Sequence, residues 1–140
     1  MKALCLGGLT AALLAGCAGH THSLVAEESD RAFKGGLFRH EGRDGPTMIL
    51  ELAGTRFEAH GFAISRIQNL AELRRQYFPG KHYDRIFSGS DAEHYVYSAQ
   101  PELHAENGAT LQCSAVWRVY AAPAGQCVTA NGTRIEFRFE

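Results

Sequence analysis

Hydrophobic and polar residues alternate along much of the chain, with the two-residue period of β-strands that bury one face. The alternation predicts strands over 47–52 and 56–64, joined by a turn at Ala53-Gly54. A weaker first strand is predicted over 33–39, because glycines interrupt it. Gly61 marks a bulge or a close approach inside the 56–64 segment.

The C-terminal third has the clearest strand pattern. Apolar residues alternate with polar ones from 111 to 119, and Trp117 is the largest residue on the apolar face. The Asn-Gly pairs at 107–108 and 131–132 favour the positive φ values of tight hairpin turns. Three residues of the last hairpin are predicted to face inward: Ile135, Phe137 and Phe139.

One segment, about 69–78, has a helical pattern instead. Asn69 can cap it and Glu72 can reach back to the cap, while Pro79-Gly80 ends it. Its apolar residues share one face: Leu70, Leu73 and Tyr77. The predicted fold class is therefore α+β, a small antiparallel β-sheet domain over 33–140 with one main helix and a C-terminal disulfide-linked β region.

The first sixteen residues combine a single Lys with a short apolar run, which is typical of a secretory signal peptide. Leu14-Ala15-Gly16-Cys17 resembles the lipobox of bacterial lipoproteins. The resemblance implies cleavage before Cys17, diacylation of its thiol and acylation of the new amino terminus. An ordinary signal peptide that ends near a cysteine, or a buried N-terminal helix, is the alternative. Ala18 after the anchor favours the outer membrane, with the domain facing the periplasm.

Charge and composition narrow the possible partners. The predicted mature chain has 124 residues, enough for one domain, and a formal charge of -2. A net charge this close to zero gives no positive electrostatic field that would attract nucleic acid, and no polybasic segment that would bind anionic lipid. Membrane lipid is therefore expected as a partner only through acylated Cys17. Residues 17–32 are small and polar and are predicted to be a lipidated N-terminus and flexible tether.

Two cysteines remain after the signal peptide and the anchor are set aside. Cys113 and Cys127 are expected to form a disulfide, because the domain is sent to an oxidising compartment. A tight loop over 121–125 would place Cys113 opposite Thr133 instead, so the disulfide requires a longer loop, a bulge or another strand arrangement. Free buried thiols, or metal ligands with nearby histidines, are the alternatives.

Residues 77–97 hold four of the five tyrosines among charged residues, a composition that suits a partner-binding surface. The alternative is that the aromatic residues are core and the charges solvated. Ser88-Gly89 followed by Tyr95 resembles a loop of lipid-anchored inhibitors of c-type lysozyme. That resemblance implies that Ser88 and Gly89 enter the enzyme's cleft and that Tyr95 supports the loop. The candidate partner-binding residues are Tyr83, Ser88, Gly89 and Tyr95, and another envelope protein is the candidate partner.

The chain contains seven histidines but no recognisable catalytic or metal-binding motif. His20 and His22 form a His-x-His pair in the predicted tether, where two imidazoles can share a metal ion. A metal protein or an enzyme would require convergence of at least two of four others: His60, His82, His94 and His104. We expect no catalytic residue, no cofactor and no metal. The predicted function is a lipid-anchored, non-catalytic binding or structural accessory module of the envelope. A lysozyme inhibitor and a histidine-based metal-binding protein are the alternatives.

Overall fold

A computed structural model of the protein describes residues 20–26, 32–67, 96–118 and 121–140. These residues form one curled, entirely antiparallel sheet. Its strands are β1 (Thr21–Ser23), β2 (Phe33–Arg39), β3 (Thr47–Leu52), β4 (Thr55–His60), β5 (Ile64–Ile67), β6 (Val96–Ala99), β7 (Glu102–Ala105), β8 (Thr110–Arg118), β9 (Ala124–Thr129) and β10 (Arg134–Arg138).

The strand order brings the two ends of the chain together. Neighbouring strands run β1-β2-β3-β4-β7-β8-β6-β5, and β9 joins β8 to β10. The β1 end then meets the β10 end, where Leu24 forms an isolated bridge with Phe139. Ser23 and Glu140 exchange two main-chain hydrogen bonds beside it, at 3.2 and 2.8 Å. The sheet is curled into a half-barrel, and the buried side chains on its concave face form one core.

The predicted α+β class is wrong, because the described part of the chain is all β and contains no helix. The physical reason lies in the curl: strands on opposite sides of the half-barrel cover one another's apolar faces, so the core needs no helical layer. The predicted helix at about 69–78 lies outside the described residues. Within the described ranges, no helix is long and apolar enough to cross a membrane.

Local turn chemistry explains most strand boundaries. Ala53 and Gly54 both have positive φ, 49° and 79°, as a two-residue hairpin loop between β3 and β4 requires. At both Asn-Gly pairs only the glycine has positive φ, which is typical of a three-residue loop with a bulge. The predicted 56–64 strand is two strands, β4 and β5, and the chain breaks between them at Gly61 (φ 66°).

The sheet begins earlier in the chain than Phe33. Strand β1 lies inside the 17–32 range predicted as the tether, and it pairs with β2. Thr21, His22 and Ser23 lie opposite Arg39, Phe38 and Leu37. Because the strand is short and polar, its pairing with β2 and β10 holds it in place, rather than a hydrophobic pattern of its own.

The expected disulfide is confirmed. Cys113 on β8 and Cys127 on β9 are directly opposite each other and bonded, with their Cα atoms 4.0 Å apart. Cys113 N–H donates to Pro101 O on the other side of β8, so the two cysteines form a non-hydrogen-bonded pair, the closer kind of pair in an antiparallel ladder. The register places the β8–β9 connection after Val116 and before Ala124, longer than the tight loop that would have misaligned the cysteines.

Aromatic residues fill the interior of the curl. Phe38 contacts Trp117 and Phe139 with ring centroids 5.2 and 5.7 Å apart, and Phe137 packs against Phe139 at 5.4 Å. Ile135, Phe137 and Phe139 are all buried, as predicted. Gly125 gives this cluster space: a Cβ there would lie 1.8 Å from Ser114 O and 2.7 Å from the Phe137 ring.

Candidate functional site

Three histidines share the inner face of the half-barrel at one of its ends. His22 lies opposite Phe38 in the β1–β2 register, and the Phe38 side chain is fully buried. Because side chains alternate between faces along a strand, His20 and His40, each two residues away, lie on that same face. We call His20, His22 and His40 the histidine cluster.

The rings of the histidine cluster are close and nearly parallel. Ring centroids of His22 and His40 are 5.3 Å apart, and their Nε2 atoms are 3.2 Å apart. The His20 ring is further away, 6.5 Å from His22 and 6.3 Å from His40. His40 also packs beside Trp117, with ring centroids 5.3 Å apart, so the cluster continues directly into the aromatic core.

Oxygen acceptors lie within hydrogen-bond distance of Nδ1 in two of the three rings. His22 Nδ1 lies 3.2 Å from Glu140 O, and His20 Nδ1 lies 3.0 Å from Glu41 Oε2. Glu41 Oε1 lies 3.8 Å from His40 Nδ1. A carbonyl or carboxylate oxygen can only accept, so Nδ1 of His20 and of His22 donates, and a neutral His22 ring then carries its lone pair on Nε2.

Burial decides the charge of the two inner rings. Removal from water lowers the pKa of His22 below its ordinary 6.5, against a smaller raising effect from its hydrogen bond to the Glu140 carbonyl. Burial likewise lowers the pKa of His40, against the nearby Glu41 carboxylate. The hydrogen bond from His20 lowers the pKa of Glu41. At neutral pH the site therefore combines two neutral imidazoles with one carboxylate.

A cavity of about 330 Å³ opens beside the histidine cluster. Its apolar wall consists of Ile64, Tyr97 and Trp117. The Tyr97 and Trp117 rings are stacked, with centroids 5.8 Å apart, because these two residues lie opposite each other on β6 and β8. The polar wall consists of the histidine cluster, Glu41 and Arg118. We call this space the histidine cavity.

Arg118 lines the histidine cavity with a cationic side chain. Its Nε is buried and has no hydrogen-bond partner among the residues that the structure describes. A buried donor without a partner costs about 1–3 kcal/mol, so such groups usually bind a water molecule, an ion or a ligand. A cation beside an aromatic wall suits a small molecule that has an apolar body and an anionic group.

Of the four histidines whose convergence an enzyme or metal protein would require, the structure describes His60 and His104, and these two do not line the same groove. His60 and His104 lie on the neighbouring strands β4 and β7, and each bonds its own carboxylate, Glu58 at 3.0 Å and Glu102 at 3.3 Å. A groove beside them is lined by His104 but not by His60. His82 and His94 lie outside the described residues.

The structure describes only part of the sites predicted from the sequence. Cys17, Tyr83, Ser88, Gly89 and Tyr95 lie outside the described residues. In the ranges that are described, no three or more His, Cys, Asp and Glu side chains are already arranged to hold a metal ion.

Sequence reasoning overlooked His40 and the position of His22 opposite Phe38. The available signal was alternation: His20-x-His22 shares one face of an extended segment, and His40 follows the apolar Phe38 by two residues.

Comparison of the chain with protein-family models, with curated proteins and with solved structures found no match.

Proposed function

We propose that this chain is a lipid-anchored protein of the bacterial envelope whose folded domain is a non-catalytic binding module. The lipobox at residues 14–17 supports the anchor. The histidine cavity supports the binding role, and it is the observation that carries the proposal: stacked aromatic rings form one wall, and the other wall includes the cationic Arg118.

The proposed ligand is a small amphipathic molecule with an anionic group. The apolar wall of Ile64, Tyr97 and Trp117 would cover its apolar part, and Arg118 would bind its charge. Only three chain steps separate Cys17 from His20, a reach of about 10 Å at most. An acylated Cys17 would thus hold this end of the domain at the lipid surface, where amphipathic molecules concentrate.

Trp117 makes the proposal directly testable, because it is the only tryptophan in the chain and it lines the histidine cavity. The protein is extracted from membranes in a mild non-ionic detergent and titrated with 1-anilinonaphthalene-8-sulfonate, an apolar anion. We expect saturable binding to one site, which is measured as energy transfer from Trp117 to the bound probe. The neutral parent amine, without the sulfonate, reports the apolar contribution alone.

Two pairs of measurements separate the cavity from general surface binding. Ala121 lines the cavity and Ala130 is exposed in the β9–β10 turn, so Ala121→Phe is expected to weaken binding at least tenfold and Ala130→Phe to leave it unchanged. Arg118→Met is expected to weaken binding of the sulfonate probe by about tenfold or more, because it removes a charged hydrogen bond. Binding of the neutral amine should be unchanged. Equal effects of Ala121→Phe and Ala130→Phe, or no saturable binding at all, would contradict the binding role.

A further inference from the structure

We infer that the histidine cluster is a binding site for one divalent late transition-metal ion, Cu²⁺, Ni²⁺ or Zn²⁺, held by Nε2 of His22 and Nε2 of His40, with Nε2 of His20 as the third ligand. The inference rests on the proposed function in one respect: the metal position borders the cavity proposed as the binding site. It assigns that site a chemical class of ligand that the cavity alone does not identify.

The spacing of the two inner nitrogens carries the inference. Two imidazole nitrogens bound to one tetrahedral ion at about 2.05 Å lie about 3.3 Å from each other. The Nε2 atoms of His22 and His40 are 3.2 Å apart. The pair thus already has the separation that an ion between them requires, and the ion would replace the single proton that the two nitrogens now share.

The partners of the Nδ1 atoms point to the same use. Histidines that bind metals almost always donate their second ring N–H to a carboxylate, a carbonyl or water, which fixes the tautomer and raises the basicity of the binding nitrogen. Glu140 O has this position for His22 and Glu41 Oε2 has it for His20, whereas Glu41 Oε1 is 3.8 Å from His40 Nδ1 and would have to approach to accept its proton. When an ion replaces the proton on His40 Nε2, that proton moves to Nδ1, which faces Glu41.

His20 requires movement before it can complete the site. Its ring is about 1 Å further from the inner pair than those two rings are from each other. Its side chain is 69% exposed, so rotation about its side-chain bonds meets little packing resistance. This explains why three ligands do not yet surround one point, and it predicts that His20 contributes less to affinity than His22 or His40.

The chemistry of the ligands selects the metal class. Imidazole suits copper, nickel and zinc, whereas calcium and magnesium require oxygen ligands. Neutral rings bind metals and protonated rings do not, and burial keeps His22 and His40 neutral near pH 7. Among these ions, copper is expected to bind most tightly.

The test is a Cu²⁺ titration of the detergent-extracted protein, after metals are removed with a chelator and any free thiol is alkylated. His40 is in ring contact with Trp117, so bound Cu²⁺ should quench the only tryptophan. We expect saturation at one equivalent, and Zn²⁺ should compete. His22→Gln and His40→Gln should each weaken the affinity at least tenfold, and His20→Gln by a smaller factor. His104→Gln, which changes an exposed histidine on the outer face, should have no effect.

Electron paramagnetic resonance of the copper-loaded protein adds a readout that a folding defect does not mimic. We expect coupling to two or three imidazole nitrogens in the wild type and to one fewer in His22→Gln. His22 is only half-buried, on the three-residue strand β1, so this variant should keep the fold even if His40→Gln does not. Unchanged affinity in His22→Gln, or quenching that needs several equivalents of copper, would overturn the inference.

The metal site and the proposed function can fail separately. Specific binding of the sulfonate probe without metal binding would leave the binding role standing and remove the metal site. Binding of one equivalent of copper that depends on His22, without cavity-dependent binding of the probe, would support the metal site and contradict the proposed binding role of the cavity.

Discussion

Reduction of the Cys113–Cys127 disulfide should destabilise the domain mainly through the unfolded chain. The two cysteines are 14 positions apart in sequence, and the chain-entropy model gives about 3 kcal/mol for a loop of about that length. Both are buried and lie opposite each other in a ladder that continues on either side of them. Because the ladder already aligns these strands, the bond contributes little to holding the native state together.

A loss of about 3 kcal/mol is large against the 5–15 kcal/mol that separates folded from unfolded domains. We expect the reduced protein to stay folded at 25 °C, with a free energy of unfolding lower by about that amount. The double variant Cys113→Ala/Cys127→Ala should lose a similar amount, since it removes the cross-link without placing two thiols where two bonded sulfurs lay. The two forms together distinguish loss of the bond from poor packing of the thiols.

Urea unfolding, followed by circular dichroism, measures the effect. Without the cross-link the unfolded chain expands and exposes more surface, so the dependence of the unfolding free energy on urea should become steeper as the midpoint falls. The near-ultraviolet spectrum of Trp117, on the same face of β8 as Cys113, should be unchanged in the native baseline. A loss below about 1 kcal/mol, or a lower midpoint with an unchanged slope and an altered tryptophan spectrum, would refute the entropic reasoning.

Three further predictions concern packing, pH and the anchor. Gly125→Ala should lower the free energy of unfolding by about 3 kcal/mol or more, because its Cβ would lie 1.8 Å from a carbonyl oxygen. In the control variant Gly35→Ala the nearest atom to the new Cβ is 3.9 Å away, so the free energy of unfolding in urea should change by less than about 1 kcal/mol. With a chelator present, the melting temperature should be highest above pH 6.5 and should fall as the pH drops through the lowered pKa values of His22 and His40. The reason is that histidines of the unfolded chain bind protons in this pH range, whereas the two buried rings stay neutral. A melting temperature that does not change from pH 7 to 5 would contradict this. Intact mass of the membrane-extracted protein should show a chain that starts at Cys17 and is heavier by two or three acyl chains, and a species without acyl chains would remove the anchor.

The strands and their inward faces were readable from the sequence, because a period of two residues is a local property. The range 33–39 was predicted and observed as β2, and 47–52 as β3. The inward orientation of Phe137 and Phe139 followed from alternation, and the pairing of the two remaining cysteines from the oxidising compartment that the sequence predicts. These features depend on residues close in sequence, or on there being only one possible partner.

The fold class and the candidate site depended on contacts that no local pattern contains. Strand β1 is too short and polar to be recognised alone, and it exists because β2 and β10 provide hydrogen-bond partners on both sides. The same closure replaces a helical layer by strands, which is why the α+β prediction was wrong. The pairing of β1 with β2 places His22 Nε2 3.2 Å from His40 Nε2, across 18 positions of sequence. The alternation of residues along each strand thus sets which faces are apolar, because it is a local property. Which polar residues meet where those faces end depends on how distant strands pair.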